Sequence, residues 1–393
     1  MSFSLRTAAL LAATALTVGG VAACSSESST SVFGSPDCIT DFDPGVDYFP
    51  DKQTVEYAQN FDIEYHNSYQ VLTVRQPGQA DESYVLTRCG APAPDMNGDL
   101  AGAQQVTTPV TDLFAESTTH LPSLEALGTL DTLTGFASAD YVYSETARTH
   151  IADDGVVQFA TAGQVDAEAV VAHAPQVFVT GGFTDPAFAV IERSNIPVLD
   201  NYDWLETNPL GRAEWIKFFA ALTGTEKQAT ETFDGIVAEY DKYTNLAANT
   251  APVPVVPGLP YQGAWSVPLA SYSNDLYATA HITHPWMTEP GTGTLQTDLE
   301  TVFAKAGDIR LAISTSSNAT KADAIASEPR LAEFAAFRDG QVWTSSNRMT
   351  DAGALDIYEQ GVLRPDLVLA DLIAIAHPDL LPGHEFTFYR RLQ

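Results

Sequence analysis

Asp166-Ala-Glu-Ala-Val-Val-Ala-His-Ala174 and Asp298-Leu-Glu-Thr-Val-Phe-Ala-Lys-Ala306 spell one short amphipathic helix twice. The stretches agree at Asp, Glu, Val, Ala and Ala, and each leads within two residues into a strand-like run, 176–180 and 309–314. Agreement at five positions alone is weak, because short amphipathic helices share composition. The repeated helix-then-strand context carries the argument. It reads as two similar α/β lobes with a cleft between them.

The surroundings extend that reading. Ahead of the cleft region, strand candidates at 110–115, 132–136, 176–180 and 196–199 alternate with helix candidates at 122–127, 145–151, 166–174 and 186–194. Such alternation predicts a mostly parallel sheet covered by helices. Trp215, Phe218, Phe219 and Leu222 then fall at i, i+3, i+4, i+7, one apolar stripe ended by Gly224. From Thr225 to Asn245, Ala229, Phe233, Ile236, Val237 and Tyr240 share a face, with Thr225 and Gln228 placed for a capping box. That second helix is roughly 30 Å long at ~1.5 Å per residue, enough to join two lobes rigidly. After Pro252 the alternation resumes, with strands at 253–259, 309–314 and 341–344 and helices at 298–305, 321–337 (interrupted near Pro329) and 365–376. Before it, 61–65, 69–74 and 83–87 read as an antiparallel hairpin region, with Pro77-Gly78 as a turn. The fold class is therefore α/β, with two Rossmann-like lobes joined by one long α-helix and an N-terminal β-hairpin extension. The expected boundaries are 51–205 for the first lobe, 206–250 for the helical linker and 251–393 for the second lobe.

The N-terminus speaks to compartment. Arg6 precedes an apolar run from Ala8 to Val18, the profile of a secretory signal and too short to span a bilayer. Val21-Ala22-Ala23-Cys24 followed by Ser25-Ser26-Glu27-Ser28-Ser29-Thr30 resembles a bacterial lipobox and its tether. The resemblance implies a signal peptide over 1–23, lipidation of Cys24 and a flexible segment over 24–50, leaving the protein on the outer face of the cell membrane. Two or three acyl chains hold where one does not, at ~0.8 kcal/mol per buried methylene. Cys38 and Cys89 remain, and two cysteines in an exported chain predict a disulfide. The net charge of −31, from 19 basic against 50 acidic residues, excludes nucleic-acid binding, which needs cations against phosphate.

The segments 117–128, Ala139-Asp-Tyr-Val-Tyr143, Trp204-Leu-Glu-Thr-Asn-Pro-Leu-Gly-Arg-Ala-Glu-Trp-Ile-Lys-Phe-Phe219, Gly258-Leu-Pro-Tyr-Gln-Gly-Ala-Trp265 and 361–372 are similar to those of a known group. They resemble the solute-binding lipoproteins for iron-siderophores, haem and cobalamin, the capture subunits of ABC importers, and within them an iron-complex subgroup. The stretch Pro209-Leu-Gly-Arg-Ala-Glu-Trp215 is the most specific piece. The chain departs from the subgroup over 266–286, where a Gly-rich, Met-containing segment and a Gly-Gly-Asp turn are replaced. The resemblance implies a monomeric receptor that binds a metal chelate, haem or a corrinoid between its lobes, with no catalysis and no resident cofactor. Its partners are a permease and an ATPase. It also implies that Glu168 and Glu300, one per lobe, meet permease arginines. Taken alone, a glutamate in a first helical turn is explained by the helix dipole.

Candidate ligand contacts follow from chemistry. Arg212 and Arg348 are cations in a chain poor in them, suited to bidentate recognition of a carboxylate; a structural ion pair is the other reading of Arg212. Tyr261, Trp265, Tyr272, Tyr277 and Trp286 are an aromatic cluster suited to a bulky apolar ligand or to core packing, with Tyr261, Trp265 and Tyr272 taken as contacts. His120 follows the first strand of the alternating unit, where ligands of parallel sheets bind. His281 and His284, three apart, are compatible with one helical face, but a two-histidine pattern without a carboxylate is weak evidence for metal, and no metal site is expected. A receptor for free divalent metal is one alternative. An exported hydrolase is another, though no Gly-x-Ser-x-Gly, His-Glu-x-x-His or phosphate-binding Gly-rich motif occurs.

Overall fold

The computed structural model describes residues 38–393 apart from 154 and 262, with the backbone alone at 153, 261 and 339. The expected signal sequence, over 1–23, and Cys24 lie outside the described residues. In the N-terminal lobe, five parallel strands run in the order Val198–Leu199, Val177–Val179, Leu113–Ala115, Leu133–Phe136, Val157–Gln158. The two central ones, Val-Phe-Val and Leu-Phe-Ala, are buried at every position, as a sheet covered on both faces requires. Its helices are α1 (Leu121–Leu127), α2 (Glu145–Asp153), α3 (Ala167–His173) and α4 (Phe188–Arg193). Leu113–Ala115 and Val177–Val179, first and fourth of these strands along the chain, are adjacent, so the strand order reverses between them. A doubly wound sheet opens a crevice at the carboxyl ends of such a pair.

The middle of the chain forms α5 (Pro209–Ala213), α6 (Ile216–Thr223) and α7 (Glu226–Ala247). The capping box expected at Thr225 does not form: its hydroxyl meets Thr223 instead, at 2.8 Å, and no side chain caps the helix. The C-terminal lobe has a smaller sheet, Val256–Pro257, Ala312–Ser314 and Val342–Thr344 in parallel, closed by antiparallel Arg390–Arg391. Its helices are α8 (Tyr272–Thr279), α9 (Leu299–Ala306), α10 (Lys321–Ser327), α11 (Ala335–Asp339), α12 (Gln360–Leu363) and α13 (Pro365–Ala376). The bridging helix is not a free rod. α7 lies along α13, which is buried almost all round, and Phe233, Ile236 and Tyr240 of α7 belong to one apolar core with Leu369, Leu372 and Ile373.

The N-terminal extension is the expected antiparallel meander, Phe61–Tyr65, Tyr69–Val74 and Glu82–Arg88, plus a parallel fourth strand, Gln104–Thr108, that the sequence pattern missed. Cys38 and Cys89 are bonded, with Cα atoms 4.8 Å apart. The chain is already fixed here: Ile39 donates to the Cys89 carbonyl at 2.9 Å, Tyr48 to that of Asn67 at 2.7 Å, and Phe49 is 4 % exposed. A flexible segment reaching residue 50 is thereby corrected, because these contacts anchor it from Cys38 onward.

Candidate functional site

The carboxyl ends of the C-terminal strands deliver Gly258 and Thr315 to a cavity of about 250 Å³. α5 lies over it from the linker and contributes Pro209 and Arg212; α8 supplies Tyr272 and Tyr277. Ser271 starts α8 by accepting the Asn274 N–H at 3.4 Å, and that start places Tyr272 at the cavity. Arg212 is buried, 7 % exposed, with Asp203 at 3.7 Å and the Tyr272 ring beneath its guanidinium at 4.5 Å. Its Nε has no partner among the described residues. Desolvation raises the phenols of Tyr277 and Tyr389 above their ordinary range, so both stay neutral there. The arrangement offers one desolvated cation, several neutral hydroxyls and an apolar wall, which suits an anionic or carboxylate-bearing ligand.

A second, open compartment of about 990 Å³ lies between the lobes. Tyr143 and Arg148 line it from the N-terminal lobe, Arg348 and Arg364 from the other. Arg348 pairs with buried Asp356 at 2.9 Å and lies over the Tyr143 ring at 5.5 Å. The segment 355–360 is the wall between the compartments, since Tyr358 lines the cavity while Asp356 and Gln360 line the groove.

Arg212 and Tyr272 thus come together at the cavity, and Arg348 lines the adjoining groove. Trp265 does not line either space: it is 1 % exposed, donates to the Pro257 carbonyl at 2.8 Å and packs on Phe334. His120 is 1 % exposed against Phe219, has no hydrogen-bond partner among the described residues, and burial lowers its imidazole to about 3. It sits behind the strand end, in the core, at the end of the 3-10 turn Thr118–His120 that leads into α1. The backbone of Tyr261 is in a short strand, Pro260–Tyr261; its side chain lies outside the described residues. His281 and His284 do not share a helical face: His281 has a positive φ of 51° and the strand Ile282–Thr283 separates them. They bond to the Thr250 carbonyl and to Asn274, each at 2.9 Å. Among the described residues no group of three or more His, Cys, Asp or Glu side chains converges to hold a metal ion.

Glu168 and Glu300 are exposed in the first turns of α3 and α9. The internal echo is structural: Asp166 accepts the N–H groups of Glu168 and Ala169 at 3.0 and 3.1 Å, and Asp298 that of Thr301 at 2.7 Å. Glu300 is paired with Arg330, which lowers its carboxyl; Glu168 has no ion pair among the described residues. Sequence reasoning missed Tyr358 and Glu359 altogether. Nothing in Asp356-Ile-Tyr-Glu-Gln360 is periodic or motif-like, so no signal was there to find.

Comparison with known proteins places this geometry. The uncharacterized lipoprotein MJ0878 of Methanocaldococcus jannaschii is 24 % identical over 324 residues, 78 % of this chain and 75 % of that protein. A periplasmic heme binding protein of Pseudomonas aeruginosa superposes with a TM-score of 0.54 at 17 % identity, covering 72 % of this chain and 98 % of the other. Helicobacter pylori CeuE, solved with Ni(II) bound, gives 0.56 at 15 % identity, covering 73 % and 90 %. The two structural likenesses show the two-lobed fold. The model for periplasmic binding proteins matches residues 116–348, more than half of the chain, which therefore belongs to the periplasmic binding protein family.

Proposed function

We propose that the chain is the extracytoplasmic receptor of an ABC importer, anchored through a lipidated Cys24, and that it captures an iron chelate, haem or a corrinoid between its lobes. One observation carries the ligand chemistry: in a chain of net charge −31, Arg212 is buried beside a cavity with Tyr272 stacked on it and its Nε unmatched. A buried guanidinium with an open donor favours an anion that completes its hydrogen bonds. The cavity takes one acidic arm of a chelate, and the groove past Tyr358, lined by Arg348 and Tyr143, has room for its bulk. Glu168 and Glu300 stand at matching helix starts on the two lobes and suit paired contacts with permease arginines, which fix register more than affinity. Docking then exchanges Arg330 for a permease arginine at Glu300.

The test is titration of the purified mature protein with ferric citrate, haemin and cyanocobalamin, following quenching of its five tryptophans, beside mass spectrometry and a visible spectrum of protein from its own host. One compound saturating with a Kd below about 10 μM, weakened at least tenfold by Arg212→Ala, is the expected result. Failure of all three, together with a host preparation free of any chelate, overturns the reading.

A further inference from the structure

The shortest hydrogen bonds from the wall between the two compartments to the opposite lobe converge on one side chain. Glu359, 1 % exposed, accepts the backbone N–H groups of Tyr143 and Ser144 at 2.7 and 2.8 Å. The wall's other tie is weaker, Gln360 to Glu125 at 3.4 Å. We propose that Leu355–Gln360 is a movable partition, seated on the N-terminal lobe through Glu359 and unseated when that carboxyl carries charge, so that cavity and groove then open into one space.

The physical case rests on what surrounds Glu359. Glu125 faces it from α1, and Asp356 from its own turn. The cation nearest the turn, Arg348, is committed to Asp356, and Arg364 to Asp366 at 2.7 Å; Arg148, with Asp140 and Glu145, stands on the open rim of the groove. A carboxylate there has two amide donors and two acidic neighbours but, among the described residues, no cation paired with it. Burial, ahead of every other influence, pushes the seated carboxyl up to about 7. Once hydrated it returns to the ordinary glutamate value near ~4.3. The state with the higher value is favoured at lower pH, so the partition stays seated below the ordinary value. It loosens as pH rises toward 7 and changes no further above that. The limit is about tenfold in the seating equilibrium per pH unit.

The readout needs no ligand, so its outcome is separate from that of the transport reading. Hydrogen exchange of the Tyr143 and Ser144 amides, corrected for intrinsic rates, is followed in the mature protein from about pH 5 to about pH 8. Protection is expected to fall by up to about tenfold per unit and then level off near 7, while Glu359→Gln removes the slope and Glu125→Gln keeps it. Flat or rising protection in the unmodified protein, or a slope that survives Glu359→Gln, overturns the proposal. Should Glu359→Gln not fold, a carbon-detected NMR titration of the Glu359 carboxyl in the unmodified protein decides. A midpoint near 7 that the Tyr143 and Ser144 amide shifts share supports the latch, and a midpoint at the ordinary glutamate value refutes it.

Discussion

In the N-terminal lobe the incoming chain, Glu56 to Ala58, is strapped down by Glu214, whose carboxylate accepts their N–H groups at 2.9, 2.7 and 2.8 Å. In the C-terminal lobe the outgoing chain, Thr387 to Tyr389, is held in the same way by Asp371, at 3.1, 2.7 and 3.1 Å. The two devices differ in their counter-charge. Glu214 is paired with Lys217, three residues away in sequence and 2.6 Å away in space, so acceptor and cation are local neighbours. Asp371 relies on His384, at 2.7 Å, which the strap itself brings. Glu214 meets a cation three residues along its own chain segment. Asp371 instead meets a ring that lies thirteen residues further along the chain.

That difference sets the order of mutational cost. Glu214→Ala strands three amides and a buried lysine, and should cost about 3–5 kcal/mol in urea unfolding. Glu214→Leu with Lys217→Met should recover a good part of it. Asp371→Ala strands amides but no fixed charge and should cost about 1–3 kcal/mol; an equal or greater loss than for Glu214→Ala breaks the comparison.

A second contrast between the lobes concerns histidine. His120 and His284 are both buried and neutral, lowered by desolvation to about 3 and about 4, but His284 has Asn274 while His120 has no hydrogen-bond partner among the described residues. Each folded value lies below the unfolded value near ~6.5, so each erodes stability as pH falls from there, by at most about 1.4 kcal/mol per unit for each group. His120→Leu should flatten that acid slope at little or no cost at pH ~7, and should leave chelate quenching unchanged. His284→Leu should flatten it too, but lose about 1 kcal/mol at neutral pH by orphaning Asn274. Parallel slopes for the unmodified protein and both variants refute this account.

The smallest effect expected is at the twin helix starts. Asp166→Ala should cost about 1 kcal/mol as a lost N-cap, and Asp298→Ala should destabilise in the same direction. Arg330→Ala should leave the melting temperature unmoved, because an exposed pair contributes little. It should strengthen capture by permease-containing vesicles by freeing Glu300, and no change there would detach Glu300 from docking.

Much of this architecture was legible beforehand because it is local. The stripe ending at Leu222 and the long face of α7 are written in 3.6-residue periodicity, and the short apolar runs marked the central strands within a few residues. α8 was passed over because Tyr-Ser-Asn-Asp-Leu-Tyr-Ala-Thr carries only a weak stripe, although Ser271 three residues before Asn274 was a usable start signal. The site was legible only in part. Arg212 and Tyr272 meet, but Trp265, equally aromatic and equally close to a strand end, turned into the core on the ring of Phe334. Aromatic composition cannot separate those fates.

The order of amino acids, unaided, determined the doubled helix-and-strand unit and the spanning helix, since each depends on neighbours within a few turns. Only the three-dimensional fold decided that α13 would sheathe that helix, that His120 would face inward, and that Glu359 would close a seam against Tyr143 and Ser144. Burial and loss of water are set by groups distant along the chain, and those groups meet only when the lobes close on one another.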